Sequence, residues 1–276
     1  MLGAHRERRF LLEKQPHLTN WVPIAVPVRS WIQWPPPFGH PIFAIAPLVL
    51  PFIFKFYDSL SGFTCPPSHV MSKARATRKF PQLGTDVKYV QVFYEGQHND
   101  ARTNVAIALT AAEQGACVAN HVEATGLIFD GDGAAGDGAA GASRGRATGV
   151  RCVDKTTGRA LDVRAKAIVF AGGPFTDALR KFEDPKCAPA VKGAAGTHLV
   201  LPSYYLPPDI GMLDINTSDG RFLFFIPWQG STLVGTTDRK GDVVSTPRAP
   251  EDEVAWIRVD VGDEAEAPSL LRSRGS

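Results

Sequence analysis

Residues 87–121 read VKYVQVFYEGQHNDARTNVAIALTAAEQGACVANH. Val87 to Tyr94 is rich in β-branched and aromatic residues, which predicts a strand. Asn99 or Asp100 can cap the helix that follows, because both side chains accept from free backbone N–H groups. That helix, predicted over Ala101–Gln114, carries Val105, Ala108, Leu109 and Ala112 on one face, and Gly115 stops it. Its many alanines make it slim enough to lie close on a sheet. Ala116 to His121, anchored by Val118, reads as a second strand. Strand, helix, strand is the order of an α/β domain.

Downstream, the pattern shifts to short strands, EATGLIFD, TGVRCVDKTTG and RALDVRA, between Glu123 and Ala165. Thr156-Thr157-Gly158 marks a tight turn, so this stretch reads as a β-meander. Residues 131–146, GDGAAGDGAAGASRGR, read as a flexible loop insertion. Gly131 to Gly136 matches GxGxxG, and Asp154 lies eighteen residues on. A dinucleotide fingerprint also needs a helix that starts inside the glycines. The residues that follow cannot hold an amphipathic helix, so the match is set aside.

Lys166 to Asp177, KAIVFAGGPFTD, is more informative. AIVFA is the continuous apolar run expected of a strand buried on both faces. It ends in Gly172-Gly173-Pro174, where the backbone can approach a ligand closely. Thr176 can cap the helix predicted after it. Thr197–Pro202, Arg221–Trp228 and Ser231–Gly235 are hairpin material, with turns at Asp219-Gly220 and Gln229-Gly230. Gly235-Thr-Thr-Asp238 can present hydroxyls and an acid in a tight turn. His198 sits in an apolar stretch, where a lone histidine is more often structural than chemical.

At the N-terminus, Arg8, Leu11 and Leu12 are spaced helically and Pro16 ends that helix. Glu7 and Glu13 count against a transit peptide. The most apolar run, Pro41–Phe54, is PIFAIAPLVLPFIF. A membrane span needs about 20 apolar residues, and Pro47 and Pro51 interrupt this shorter run. Trp21, Trp31 and Trp34 upstream and Lys55 and Tyr57 downstream suit a bilayer interface, with Phe52 and Phe54 as lipid contacts. A buried segment in an irregular cap is the other reading. From Val259 onward little apolar periodicity remains, which reads as a disordered end.

The whole chain of 276 residues is long enough for one large domain or two small ones. Its 30 basic and 28 acidic residues leave a net charge of +2, which argues against a nucleic-acid-coating protein. Four widely spaced cysteines form no CxxC pair, so they read as reduced and mostly buried thiols.

Tyr94-Glu-Gly-Gln-His-Asn-Asp-Ala-Arg102 resembles FAD-dependent, quinone-linked glycerol-3-phosphate dehydrogenase, most of all its mitochondrial form. The similarity continues through Asp162-Val-Arg-Ala-Lys166, Gly173-Pro-Phe-Thr-Asp177, Gly196-Thr-His-Leu-Val200, Thr217-Ser-Asp-Gly-Arg221, Ile226-Pro-Trp228 and Gly235-Thr-Thr-Asp238. It covers roughly residues 5 to 258. The resemblance implies a mixed α/β fold. One part is a glutathione-reductase-type FAD-binding domain. The other is the mixed-sheet substrate domain of the D-amino-acid-oxidase-like superfamily. On that basis residues 1–20 are a helical part of the FAD domain and 21–79 an apolar cap or membrane-contact segment. Residues 80–98 belong to the substrate domain, 99–182 to the FAD domain, 183–258 again to the substrate domain, and 259–276 are an unrelated tail.

The implied reaction is oxidation of sn-glycerol 3-phosphate to dihydroxyacetone phosphate, with FAD taking the hydride and ubiquinone the electrons. The implied location is the mitochondrial inner membrane surface, contacted through residues 41–57. The resemblance allows a homodimer and implies no nucleic acid and no metal. By the same resemblance Ala171, Gly172, Gly173 and Glu123 approach the FAD, while His198, Thr236 and Thr237 meet the substrate. His198 would orient or deprotonate its hydroxyl. Family members usually carry threonine at the position of Gly172. The strand-GxGxxG-helix that opens the family pattern does not precede Arg8, and the SG-x-RP and GGK segments do not follow position 258. The chain thus reads as an internal fragment lacking both ends of the flavin site, with weak or no FAD binding by itself. A non-catalytic membrane- or partner-binding module is the alternative.

Overall fold

The structure, a computed structural model, describes residues 2–32, 45–84, 86–130, 145–215, 217 and 221–264. In chain order the first elements are α1 (Leu2–Lys14), β1 (Thr19–Val28), α2 (Ala46–Leu60), β2 (His69–Ser72), α3 (Lys73–Lys79), β3 (Tyr89–His98) and α4 (Asp100–Glu113). There follow β4 (Val122–Phe129), β5 (Ala147–Asp154), β6 (Ala160–Arg164), α5 (Thr176–Arg180), β7 (Ala194–Ala195) and β8 (His198–Pro202). The last are β9 (Gly211–Asp214), β10 (Leu223–Trp228), β11 (Ser231–Gly235), β12 (Arg239–Lys240) and α6 (Glu251–Glu264). The chain divides into two compact units. The first takes in the described residues up to Val105, Ala195–Arg239 and those from Thr246 on; the second comprises Ala106–Ala194 and Lys240–Ser245.

The first unit is built on a seven-stranded sheet in the order β2-β3-β1-β9-β10-β11-β8. Only β1 and β9 pair in parallel; the ladders β1 with β3, β9 with β10, β10 with β11, β11 with β8 and β2 with β3 are antiparallel. The sheet is therefore mixed. β1 pairs with β9 only at Ile24 and Ala25, between Pro23 and Pro27. Proline has no N–H to give a ladder, so the two prolines bracket that pairing.

Each face of the sheet has its own core. Val22, Ile24, Val26 and Phe93 form one, with Leu50, Phe54 and Tyr57 of α2 packed against it. Ala25, Val90, Val92, Met212, Leu223 and Val234 anchor the other, which Ala76 of α3 and Ile257 and Val261 of α6 cover. The split follows from the period-two alternation of side chains along a strand. Gln229 (φ 48°) and Gly230 (φ 80°) join β10 to β11, and two positive φ values suit the right-handed twist of a two-residue hairpin.

α2 runs without a break through Pro51, although Pro47 and Pro51 read in the sequence as interruptions. The proline removes the N–H that would bond the carbonyl of Pro47 four residues back. The hydroxyl of Tyr89 donates to that carbonyl instead. α6 likewise continues past Val259, with Val261 buried, where the sequence shows little periodicity. Residues 265–276 lie outside the described residues.

The second unit contains the predicted meander: β4, β5 and β6 form an antiparallel sheet with Leu127, Ile128, Phe129 and Cys152 buried. At its turn Asp154 accepts from the Thr156 N–H and from the hydroxyls of Thr156 and Thr157. Those bonds favour the charged form and hold its carboxyl down at about 2. The predicted loop insertion, with its GxGxxG match at 131–136, lies outside the described residues except at Gly145 and Arg146.

Two predicted strands are absent. Residues 116–121 and 167–171 have no regular structure, and Val118 and Val169 are 53% and 86% exposed. The reading of 167–171 as a strand buried on both faces is thus corrected. A strand persists only where a neighbour takes its backbone groups, and among the described residues none pairs with either segment. α4 forms as predicted: Asn99 Oδ1 accepts from Arg102 N–H at 3.1 Å, and Gly115 (φ 89°) ends the helix. Its apolar face is not packed, with Val105 57% and Leu109 60% exposed. Of the cysteines, Cys65 and Cys152 are buried, Cys187 is intermediate and Cys117 is exposed; all four are free.

Candidate functional site

The predicted site residues fall into two groups, one in each unit. In the first unit, β8 and β11 run antiparallel, and the last ladder pair is His198 with Gly235. Two glycines let the chains meet there. A Cβ on Gly235 would lie 2.7 Å from both His198 Cδ2 and the Thr197 carbonyl, and one on Gly196 would lie 2.1 Å from Thr236 Oγ1. His198 and Thr236 are exposed, one on each side of this seam. His198 thus stands at the surface, not among apolar neighbours.

Thr237 points the other way and is fully buried. Its Oγ1 accepts from the Thr197 N–H at 2.8 Å and donates to Glu253 Oε2. Thr197 Oγ1 donates to the same Oε2 at 2.7 Å. Arg239 Nε lies 3.2 Å from Glu253 Oε1. Burial works against the Glu253 carboxylate, but the hydroxyls of Thr237 and Thr197, with Arg239 and Arg221, outweigh it and lower its pKa. Arg221 also lies over the ring of Trp256, 3.6 Å from its centroid. Sequence reasoning missed Glu253 and Arg239. Both precede or open a helix after the motif ends, and no spacing links position 253 to position 197.

In the second unit, Glu123 of β4 is exposed and paired with Lys155 at 2.8 Å. Ala171 is exposed. Gly172 packs against Leu179, whose Cδ1 would lie 2.5 Å from an added Cβ. Gly173 has φ 53° and open space where a Cβ would be, so a flat ring could lie against its backbone. Thr176 does not cap α5. It is the first residue of that helix, and its hydroxyl donates back to the Gly173 carbonyl at 2.7 Å.

A second polar cluster lies elsewhere in the first unit. Arg8 pairs with Glu95 at 2.7 Å and donates to Tyr57 at 3.1 Å, and Tyr57 donates to Glu95. The cluster lines a cavity of about 430 Å³ with His5, Leu11, Leu12 and Gly96. Burial first, and the Glu95 carboxylate second, push the Tyr57 hydroxyl up to about 12.

The outer face of α2 is apolar. Leu48, Phe52, Ile53 and Phe56 are 57%, 76%, 49% and 66% exposed. Phe54, expected to face lipid, points inward and stacks on Phe93 with centroids 4.6 Å apart. Among the described residues no helix is long and apolar enough to cross a membrane.

A family model described as FAD dependent oxidoreductase matches residues 43–263. The mitochondrial glycerol-3-phosphate dehydrogenase of Macaca fascicularis is 43% identical over 260 residues, which is 92% of this chain and 32% of that protein. The Homo sapiens protein of the same name is also 43% identical, over the same shares. This chain therefore spans about a third of the length of the curated relatives it matches. The glycerol-3-phosphate dehydrogenase from Bacillus halodurans, solved with FAD, superposes with a TM-score of 0.72 at 24% identity. That match covers 98% of this chain and 44% of the solved chain, and it shows the fold.

Proposed function

We propose, from the premise that this chain belongs to the FAD dependent oxidoreductase family, that it carries the substrate side of an enzyme oxidising sn-glycerol 3-phosphate to dihydroxyacetone phosphate. The observation that carries this reading is the seam at which exposed His198 and Thr236 flank Gly235. The names of the relatives supply the substrate, and their mitochondrial assignment supplies the location.

FAD, when bound, supplies a hydride acceptor for C2 of the substrate. Within the second unit taken by itself, the backbone at Gly173 has open space where a Cβ would be, which fits a flat ring lying against it. The chain's own residues supply the proton half of the chemistry. His198 takes the proton of the C2 hydroxyl as C2 becomes a carbonyl, which is general-base work suited to an imidazole. Thr236 Oγ1 donates to the Thr237 carbonyl at 2.7 Å, which leaves it to accept from a second hydroxyl of the substrate. Thr237 acts from behind, since its hydroxyl is spent on Glu253. Ubiquinone is the electron acceptor in this reading, and a lipid surface delivers it.

Membrane contact rests on α2. Its inner face is fixed to the sheet by Leu50, Phe54 and Tyr57, while Leu48, Phe52 and Phe56 form an outward apolar stripe at helical spacing. Such a helix suits the interface plane of a bilayer.

The decisive experiment replaces the matching segment of the human relative with this chain and assays oxidation of glycerol 3-phosphate with decylubiquinone. Activity that survives the exchange and drops at least roughly a hundredfold with His198→Asn supports the reading, as loss of a general base requires. An exchange protein that binds FAD yet ignores glycerol 3-phosphate sinks it.

A further inference from the structure

The ladder between β8 and β11 ends at His198 and Gly235. Beyond that pair the Thr197 N–H donates to Thr237 Oγ1, and β7 pairs with β12 farther on. Glu253 adds a further tie between Gly196-Thr197 and Thr236-Thr237. It stands in the first turn of α6, where Glu251 and Asp252 are exposed and Glu253 is only 5% exposed. One oxygen, Oε2, accepts from the hydroxyls of both Thr197 and Thr237, and the other faces Arg239. Thr197 is one peptide bond from His198, and Thr237 is one peptide bond from Thr236.

We propose that Glu253 is a positioning residue that fixes His198 and Thr236 on one surface. The proposal rests on reading that surface as the glycerol 3-phosphate site. The geometry leaves no slack. Thr197 gives its backbone N–H to Thr237 Oγ1 and its hydroxyl to Glu253. Thr237 Oγ1 therefore has its proton directed at the carboxylate and its lone pair at Thr197. With each hydroxyl committed, both threonine side chains are fixed, and the exposed neighbours inherit that fixity through the backbone. A buried carboxylate is costly unless it is paired and hydrogen-bonded. Holding a seam that no Cβ could enter is work that an exposed acid in the same helical turn, such as Asp252, cannot do.

The test uses the purified full chain with isotopically labelled histidine. Its seven histidines are followed by NMR, and His198 is assigned by its loss in His198→Asn. The expected result is that Glu253→Gln moves the His198 ring resonance and leaves those of His5, His69 and His98 in place. The same variant raises the glycerol 3-phosphate concentration needed for half the ligand-induced shift of His198 by roughly tenfold, as loss of a charged hydrogen-bond partner implies. Asp252→Asn changes neither. Thr237→Val, which removes the hydroxyl but keeps the shape, behaves like Glu253→Gln, and Thr237→Ser restores the wild-type position. Thr237→Val decides the matter if Glu253→Gln does not fold. An unmoved His198 resonance in a folded Glu253→Gln or Thr237→Val protein overturns the proposal. A wild-type His198 that ignores glycerol 3-phosphate overturns the substrate reading instead, while the response to Glu253→Gln still reports on positioning.

Discussion

The hydroxyl of Tyr89, at the start of β3, donates to the carbonyl of Pro47 in the first turn of α2. Pro51 has taken away the N–H that would otherwise serve that carbonyl. The bond lets an interior proline stand in a helix that lies against the sheet. Tyr89→Phe should cost about 1–3 kcal/mol, the penalty for a buried acceptor left unmade. Pro51→Ala restores a backbone donor to Pro47 and should recover much of that loss. A double-mutant cycle by urea denaturation measures the coupling, and strict additivity of the two changes would disprove the compensation.

The apolar stripe on α2 gives a second prediction. Phe52→Asp with Phe56→Asp should leave the fold intact, because both rings are largely exposed. Losing two rings worth about 1 kcal/mol each of partial burial should lower partitioning onto phosphatidylcholine vesicles roughly 30-fold. Phe54→Asp should instead destabilise the protein, since Phe54 stacks on Phe93. Co-sedimentation and thermal unfolding separate the two effects. Equal vesicle binding by the wild type and the double variant would remove the lipid reading.

Tyr57 predicts a pH dependence. Burial and Glu95 raise its folded pKa to about 12, against about 10 in an unfolded chain. Between those values the unfolded chain loses a proton that the folded one keeps, so stability is fully present below pH 10 and falls as pH rises toward 12. Tyr57→Phe should flatten that decline. Urea midpoints at pH 9 and pH 11 check it, and an unchanged slope in the variant would show that other groups govern the alkaline limb.

Much of the fold was legible because local pattern and tertiary demand agree. The meander, the helix at α4 and the hairpin at Gln229-Gly230 carry their own turn and cap residues. The family motifs also single out His198 and Thr236, which stand exposed at one seam of the sheet. β1 was not legible: Pro23 and Pro27 speak against a central strand, and only the short pairing with β9 accommodates them. The runs at 116–121 and 167–171 have strand composition, yet composition cannot supply a ladder partner. The outward and inward faces of α2 were also hidden, since Phe52 and Phe54 look alike in a continuous apolar run. Glu253 was hidden for the simplest reason. Its partners Thr197 and Thr237 lie 56 and 16 residues away, and an acid at a helix start already has a local explanation.

Gly196 offers the sharpest check of the seam. An alanine there would place its Cβ 2.1 Å from Thr236 Oγ1 and 2.4 Å from the Thr237 carbonyl. A side-chain hydroxyl can turn away, but a backbone carbonyl cannot, so the two chain segments must part. Overpacking of that kind costs about 1–3 kcal/mol. Gly126→Ala is the matched control, because an added Cβ there meets nothing within 4 Å. Gly196→Ala should therefore lower the unfolding midpoint and displace the His198 ring resonance, while Gly126→Ala does neither. If Gly196→Ala loses stability but His198 stays where it was, the seam is structural packing alone and the surface on which His198 and Thr236 meet is set by other contacts.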